Sequence, residues 1–421
     1  MEATRTSSES SGPATPFRVL RNPSFLRLYS AAAASQLGAA IFSVSVAWLV
    51  YHRTGSALDI TYIGIAGVVP GVAIGLFAGV LADRYNRRTL MILSDVIRAV
   101  ALTAFTAYLA SIGFNLLVTL AAVVVVYGFT ATFQPASSAI LPRMMPTGDL
   151  EDANGLLLAT GMGAQVIGSA AGGLILAFSG AVPGFAVNAL TYLLSAVFLA
   201  QIASRAGAVA HTLGTPREEG SFSRDLREGM RYIRERLPLL EVVLGAMPVN
   251  FLASMVFSFL VVYNAQILSN NTSEYAFLVA GIAAGIAIGA VAVGRLGARR
   301  FAGPLIAIGV VVAGAGVLGL AISHAFGWSL LLDIAIGFVI GLINTALAAT
   351  LQAIVPNQLL GRVLSVEQVG GSLATPVGIV LGGILITLHG VKFDYLVAGA
   401  ALVVNGLVLA SLKGIRTLRA P

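Results

Sequence analysis

Apolar residues run along this chain in long blocks, such as 101–129 and 302–322, broken by short polar or charged turns. Crossing a hydrocarbon core takes about 20 apolar residues, and several blocks exceed that. Reading the blocks between turn and charge signals predicts twelve spans: 24–50, 60–82, 88–110, 114–140, 153–179, 182–203, 238–268, 275–296, 302–322, 327–353, 362–388 and 393–412. Most connections are short. The exception, 204–237, is polar and arginine-rich, and it separates a six-span bundle at 24–203 from a second at 238–412, with tails at 1–23 and 413–421. Within it, Phe222 to Arg236 carries Phe222, Leu226, Met230 and Ile233 at helical spacing. This reads either as a surface helix or as a plain linker with a helical end.

Composition agrees with a polytopic all-α membrane protein. Hydrophobic residues make up 57% of the chain and charged residues 10%, with a mean hydropathy of +0.90; soluble domains carry about 25% charged residues. The first 23 residues lack a basic-then-apolar leader pattern, so the first block is expected to stay as a span. The chain has no cysteine, and its four histidines are far apart, so thiol chemistry is excluded and no metal-ligand spacing is present. No Gly-x-x-x-x-Gly-Lys-Ser/Thr pattern exists to hold ATP, and no nucleophile, base and orienter set is evident. Neither an enzyme nor a primary pump is expected, and no cofactor.

The net charge of +7 does not point to nucleic acid. With the N-terminus placed in the cytoplasm, every Lys and Arg except Arg53 and Lys392 falls on the cytoplasmic side or at a cytoplasmic helix end. That is the positive-inside bias of an inner-membrane protein, with both termini cytoplasmic.

The two bundles also repeat. Gly79 to Arg88 (Gly-Val-Leu-Ala-Asp-Arg-Tyr-Asn-Arg-Arg) has a degenerate echo at 291–300, with Arg295 in place of Asp83. Gln36 and Asn250 lie 214 positions apart, as do Pro142 and Pro356. Gly168, Gly172 and Gly173 in span 5 match Gly378, Gly382 and Gly383 in span 11 at an offset of 210. Two parallel six-helix halves with a midplane site between them are a transporter architecture.

Gly79 to Arg88 resembles the loop 2–3 signature of the major facilitator superfamily, and the repeat and long central loop resemble it over nearly the whole chain. Asp83-Arg84-x-x-Arg87-Arg88 followed by Asp95-x-x-Arg98, and Pro356-Asn-Gln-Leu-Leu-Gly361-Arg362 before span 11, resemble its drug, macrolide and siderophore exporter branch. The resemblance implies a conformational latch between Asp83 and the cytoplasmic start of helix 11, formed by Gly79, Asp83, Arg84, Arg87, Arg88, Gly361 and Arg362. A carboxylate at the C-terminal end of its own helix is disfavoured by up to about 1 kcal/mol, so Asp83 is expected to answer to something else. Asp95 and Arg98 share a helix face and are expected to pair, extending the latch.

The glycine stripes allow close helix packing. The span 5 stripe also resembles the antiporter signature Gly-x-x-x-Gly-Pro-x-x-Gly-Gly, departing from it at Ala164 and Ser169. The resemblance makes spans 1, 4, 7 and 10 line the cavity. Gln36, Gln134, Asn250 and Asn344, together with Gln165 at mid-membrane in span 5, are therefore the candidates for substrate contacts or interhelical hydrogen bonds. Trp48, Tyr127, Phe251, Phe257 and Tyr263 either wall that cavity or meet lipid. Asp333 and Glu367 are the deep acids available to carry a proton.

Exporting a small amphipathic or hydrophobic compound by proton antiport, as a monomer embedded in the bilayer, is the expected function. A facilitator, a lysolipid flippase-like transporter, a nutrient importer and a non-transporting scaffold or sensor are the alternatives.

Overall fold

The computed structural model describes residues 16–84, 86–202, 222–268, 270–296 and 302–418. After a 3-10 turn, Pro16–Arg21, the first half is α1 Pro23–Thr54, α2 Ala57–Arg84, α3 Arg87–Ser111, α4 Leu116–Ile140, α5 Leu150–Ser179 and α6 Ala181–Ala200. The connection ends in α7, Phe222–Arg234. The second half is α8 Leu237–Phe257, α9 Leu260–Ile267, α10 Thr272–Leu296, α11 Ala302–Ile322, α12 Phe326–Ile354, α13 Asn357–His389 and α14 Val391–Ser411, closed by the short α15, Lys413–Thr417. Among the described residues, eleven helices are long and apolar enough to cross a membrane. The helix α2 adds the apolar stretch Ala57–Gly71 within its 28 residues.

Helix boundaries follow local chemistry. Asn22 precedes α1, and its side-chain oxygen accepts from the Ser24 and Phe25 amides at 3.0 and 3.2 Å, with Pro23 in the first turn. Asn86 and Asn115 cap α3 and α4 in the same way. Gly55, in the left-handed region at φ 64°, ends α1.

One predicted span differs. The single block 238–268 is broken after Phe257 into α8 and α9. At the break the Val256 carbonyl accepts both from the Phe259 amide, at 3.2 Å, and from the Tyr395 hydroxyl, at 3.1 Å. A side chain from α14 thus takes a carbonyl that a continuous helix would use. In the connection, α7 is a formed helix; Ile233 is buried and Met230 packs beside it against α8, α12 and α13. The side chains of Phe222 and Leu226 lie outside the described residues.

The chain ends and α7 gather at one face, here the terminal face; the opposite one is the far face. The two halves meet along α2 with α13 and α5 with α10. At the far face they share one continuous apolar core that includes Trp48, Ile60, Tyr263, Tyr275 and Tyr395. There Trp48 stacks on Tyr275, with centroids 5.9 Å apart, and the Gln266 amide donates to the Tyr51 hydroxyl at 3.4 Å. Toward the terminal face the halves have separate cores: Phe25, Leu28, Met91 and Phe133 in the first, Ile233, Leu239, Val363 and Val366 in the second. The residue contacts between the halves given above lie at the far face; toward the terminal face the side chains from 75 to 85, at the end of α2, lie outside the described residues.

Candidate functional site: two chambers and a far-face seal

The glycine stripes position the site. Gly168 and Gly172 lie against Leu37, Ala40 and Ile41 of α1, leaving no room for a larger residue. Gly378 and Gly382 do the same against Phe251, Ser254 and Met255 of α8. The third glycine of each stripe faces across the molecule: Gly173 meets Ala276 of α10, and Gly383 meets Thr61 of α2. Two glycines of each stripe therefore bind a half together, and the third joins the halves.

In the first half, a chamber of about 140 Å³ is lined by Ser35, Gln36, Arg98, Thr130, Phe133 and Gln165. Its floor is built from α3. Asp95 and Arg98, one helical turn apart, form a fully buried ion pair. The Ser195 hydroxyl donates to the other Asp95 oxygen at 2.6 Å. The guanidinium donates to Thr130 Oγ1 at 3.2 Å and to the Ser94 carbonyl at 3.3 Å. Its face lies 4.2 Å from the Tyr192 ring centroid and 5.4 Å from that of Phe133. A buried pair survives only with such additional partners. Sequence reasoning anticipated the pair but missed Ser195, Thr130 and Tyr192, which come from α4 and α6 and carry no local signal.

In the second half, a chamber of about 320 Å³ is lined by Asn250, Asn344, Glu367 and Phe257 among aliphatic walls such as Val249 and Ile343. The Asn250 amide donates to the Ala246 carbonyl of its own helix at 3.0 Å. Of the polar candidates, Gln36 and Gln165 thus meet in one chamber, and Asn250, Asn344 and Glu367 in the other. The Gln134 side chain lies outside the described residues. Trp48 and Tyr263 belong to the far-face seal rather than to a cavity wall.

Part of the latch candidates lies within the described residues. Gly79, Asp83 and Arg84 fall in α2, but their surroundings, like the Arg295 side chain, lie outside the described residues. Arg88 donates to the Leu199 carbonyl at 2.9 Å and to that of Ala200, capping the C-terminal end of α6. Arg27 donates to the neighbouring Gln201 carbonyl at 2.8 Å. Arg87 begins α3. Gly361 is exposed in the first turns of α13, and Arg362 is paired with Glu228 of α7. The Asp95–Arg98 pair packs on α4 and α6 within the first half.

Asp333 is fully buried in α12, and neither carboxyl oxygen has a hydrogen-bond partner. Asp394, in the first turn of α14, is in the same condition. Sequence reasoning named Asp333 and Glu367 as the deep acids and did not single out Asp394, although the predicted span 393–412 contains it. Among the described residues no group of His, Asp or Glu is arranged to hold a metal ion.

Comparison with known proteins places this geometry. A family model described as transmembrane secretion effector matches residues 14–418. The multidrug efflux pump Tap of Mycolicibacterium fortuitum is 25% identical over 94% of this chain and 97% of its own length. Macrolide efflux protein A of Streptococcus pyogenes is 23% identical, with the same coverage of each chain. Among solved structures, the nucleoside transporter NupG superposes with a TM-score of 0.74 at 10% identity, covering 93% of this chain and 100% of that one. A bacterial homologue of the human lysosomal transporter Spinster, in an inward-facing conformation, gives 0.69 at 17% identity, covering 96% and 98%. These structural likenesses speak for the fold alone.

Proposed function

Because the chain belongs to the transmembrane secretion effector family, within the efflux branch of the major facilitator superfamily, we propose that it exports a small amphipathic or hydrophobic compound by alternating access. The observation that carries this reading is the pair of chambers, polar in one half and larger and apolar in the other, beside a far face where the halves share one core. The positive-inside bias of the sequence puts the terminal face in the cytoplasm. All twelve long helices cross the plasma membrane in this reading, and cargo is collected from inside the cell.

The cargo's apolar body lies along the aliphatic walls of the second chamber, oriented by Asn250 and Asn344. Its polar part meets Gln36 and Gln165. Depth in both chambers offers no unpaired arginine or lysine among the described residues, since Arg98 is neutralised by Asp95, so highly charged compounds are disfavoured. The transporter works as a monomer and without a cofactor. A proton gradient drives it by antiport, with Glu367 in the chamber wall and Asp333 as the acids at depth.

In the state with the terminal face closed, Asp83 engages the start of α13 near Gly361. Arg88 and Arg362, now held by α6 and by Glu228, are the groups that closure would rearrange. Everted vesicles containing the protein, screened with labelled lipophilic compounds, test export. Internal alkalinisation is expected on applying substrate to proteoliposomes that hold the protein with its terminal face outward. Absence of any pH change during transport would remove antiport and leave facilitated export.

A further inference from the structure

Asp394 has no part in the reading above, and Asp333, given there only as an acid at depth, shares its condition. Asp333 and Asp394 are wholly buried near the far face, and none of their four oxygens has a hydrogen-bond partner. Buried polar groups are nearly always paired, and an ionised carboxylate without a partner in an apolar interior is very costly.

Their surroundings belong to the far-face seal. Tyr263 of α9 and Tyr395 of α14 stack face to face, 5.0 Å between centroids and 6° between planes. Asp333 lies within electrostatic reach of both phenols, and Asp394 of Tyr395. The Tyr263 hydroxyl lies 2.8 Å from Ser329 Oγ, which is 3.0 Å from Ser323 Oγ. The other titratable groups at this end include Glu274 and Tyr275 opening α10, His324 before α12, His389 closing α13 and Lys392 beside Asp394, and, in the first half, His52 and Arg53 closing α1 and Asp59 opening α2. None of them makes a hydrogen bond or ion pair to either acid.

The segment α9 couples these acids to the other half. It is cut from α8 where Tyr395 takes the Val256 carbonyl. Its Gln266 accepts from the Val391 amide at 3.2 Å and donates to Tyr51 of α1 at 3.4 Å. One short helix therefore stacks on the aromatic pair beside both acids and also touches the opposite bundle.

We propose that Asp333 and Asp394 form a proton-binding site that controls the far-face gate, with α9 as its moving part. With the far face sealed, each acid holds its proton and is neutral. When the halves part at that end, water reaches the acids, each O–H bond breaks, the proton leaves to far-side water and a solvated carboxylate remains. Resealing requires the protons to return from the far side. This deepens the alternating-access reading and rests on it. Closure that binds one proton per acid gains up to tenfold in population per acid for each unit drop in pH.

The chain has no cysteine, so spin labels can be placed freely. Ser111→Cys and His324→Cys put labels on exposed far-face positions of the two halves. Distances are measured by double electron–electron resonance in lipid nanodiscs between pH 8 and pH 5. The short-distance population is expected to rise with acid in the wild type and to stay high at every pH in Asp333→Asn/Asp394→Asn. Each single variant is expected to halve the steepness. Tyr263→Phe keeps both acids and should keep the pH response.

An unchanged pH response in the double variant, or a wild-type response to sodium at fixed pH in place of acid, overturns the proposal. So does a far-face population that does not move with pH while the export assay shows transport. Export itself is scored separately in vesicles. Loss of transport with an intact pH response would count against the exporter reading and not against the gate.

Discussion

Gln36 of α1 rests against Gly161 of α5 so closely that a Cβ on the glycine would stand 2.7 Å from the amide oxygen. The second half repeats the arrangement. Asn250 of α8 rests against Gly371 of α13, where a Cβ would stand 3.2 Å from the amide nitrogen. In each half a bare stretch of helix backbone leaves space for a chamber amide. Substituting Gly161 by Val should displace Gln36 and raise the KM for export about tenfold, with little change in maximal rate. Gly155→Ala, which meets nothing within 4 Å, should leave KM within twofold. Initial rates in everted vesicles against substrate concentration check both.

The Asp95–Arg98 pair should behave as one buried unit. Arg98→Met alone leaves Asp95 without its charge partner and is expected to cost about 3–5 kcal/mol. Asp95→Asn/Arg98→Met together should recover most of that loss. Thermal unfolding of the purified protein, followed by size-exclusion recovery, reads the difference. Equal destabilisation in the single and double variants would contradict a pairwise role.

Glu228 and Arg362 sit at a partly exposed contact, with side chains 28% and 37% accessible. Glu228→Gln should therefore change stability by less than about 1 kcal/mol. Its effect should appear in conformation, because the pair ties α7 to the start of α13. Cross-linking of cysteines placed on α2 and α13 at the terminal face should become more frequent in Glu228→Gln, and the exchange Glu228→Arg/Arg362→Glu should restore the wild-type yield.

The far seal depends on two small contacts, Gly173 with Ala276 and Gly383 with Thr61. Gly383→Leu should hold the far face apart. Maleimide labelling of a cysteine replacing Tyr51 is then expected to quicken at least tenfold. Export should fall by a similar factor, because one half of the cycle is removed.

The helices and the two-half repeat were legible in the sequence because apolar length and the offsets of 210 and 214 are local or strictly periodic signals. The pairing of Asp95 with Arg98 was legible for the same reason: three residues along one helix fix the geometry. What was hidden depends on distant partners. The break after Phe257 requires Tyr395, 139 positions away, and the capping of α6 by Arg88 requires a carbonyl 111 positions away. Asp394 stands near the start of the predicted span 393–412, and its burial comes from the elements packed around the first turn of α14. Ser195 and Tyr192 sit in an apolar helix whose sequence does not say which face meets α3.

The contacts between the halves described at the far end are glycine against Ala276, glycine against Thr61, the Trp48–Tyr275 stack and one amide–hydroxyl hydrogen bond. Such an adhesion depends on shape and dispersion, and mobile salt has little to screen there. The external ionic medium should leave this grip untouched, whereas lateral pressure from the surrounding lipid acts on it directly. Bilayer composition, rather than salinity, is therefore the environmental variable to which the resting shape of this molecule should respond.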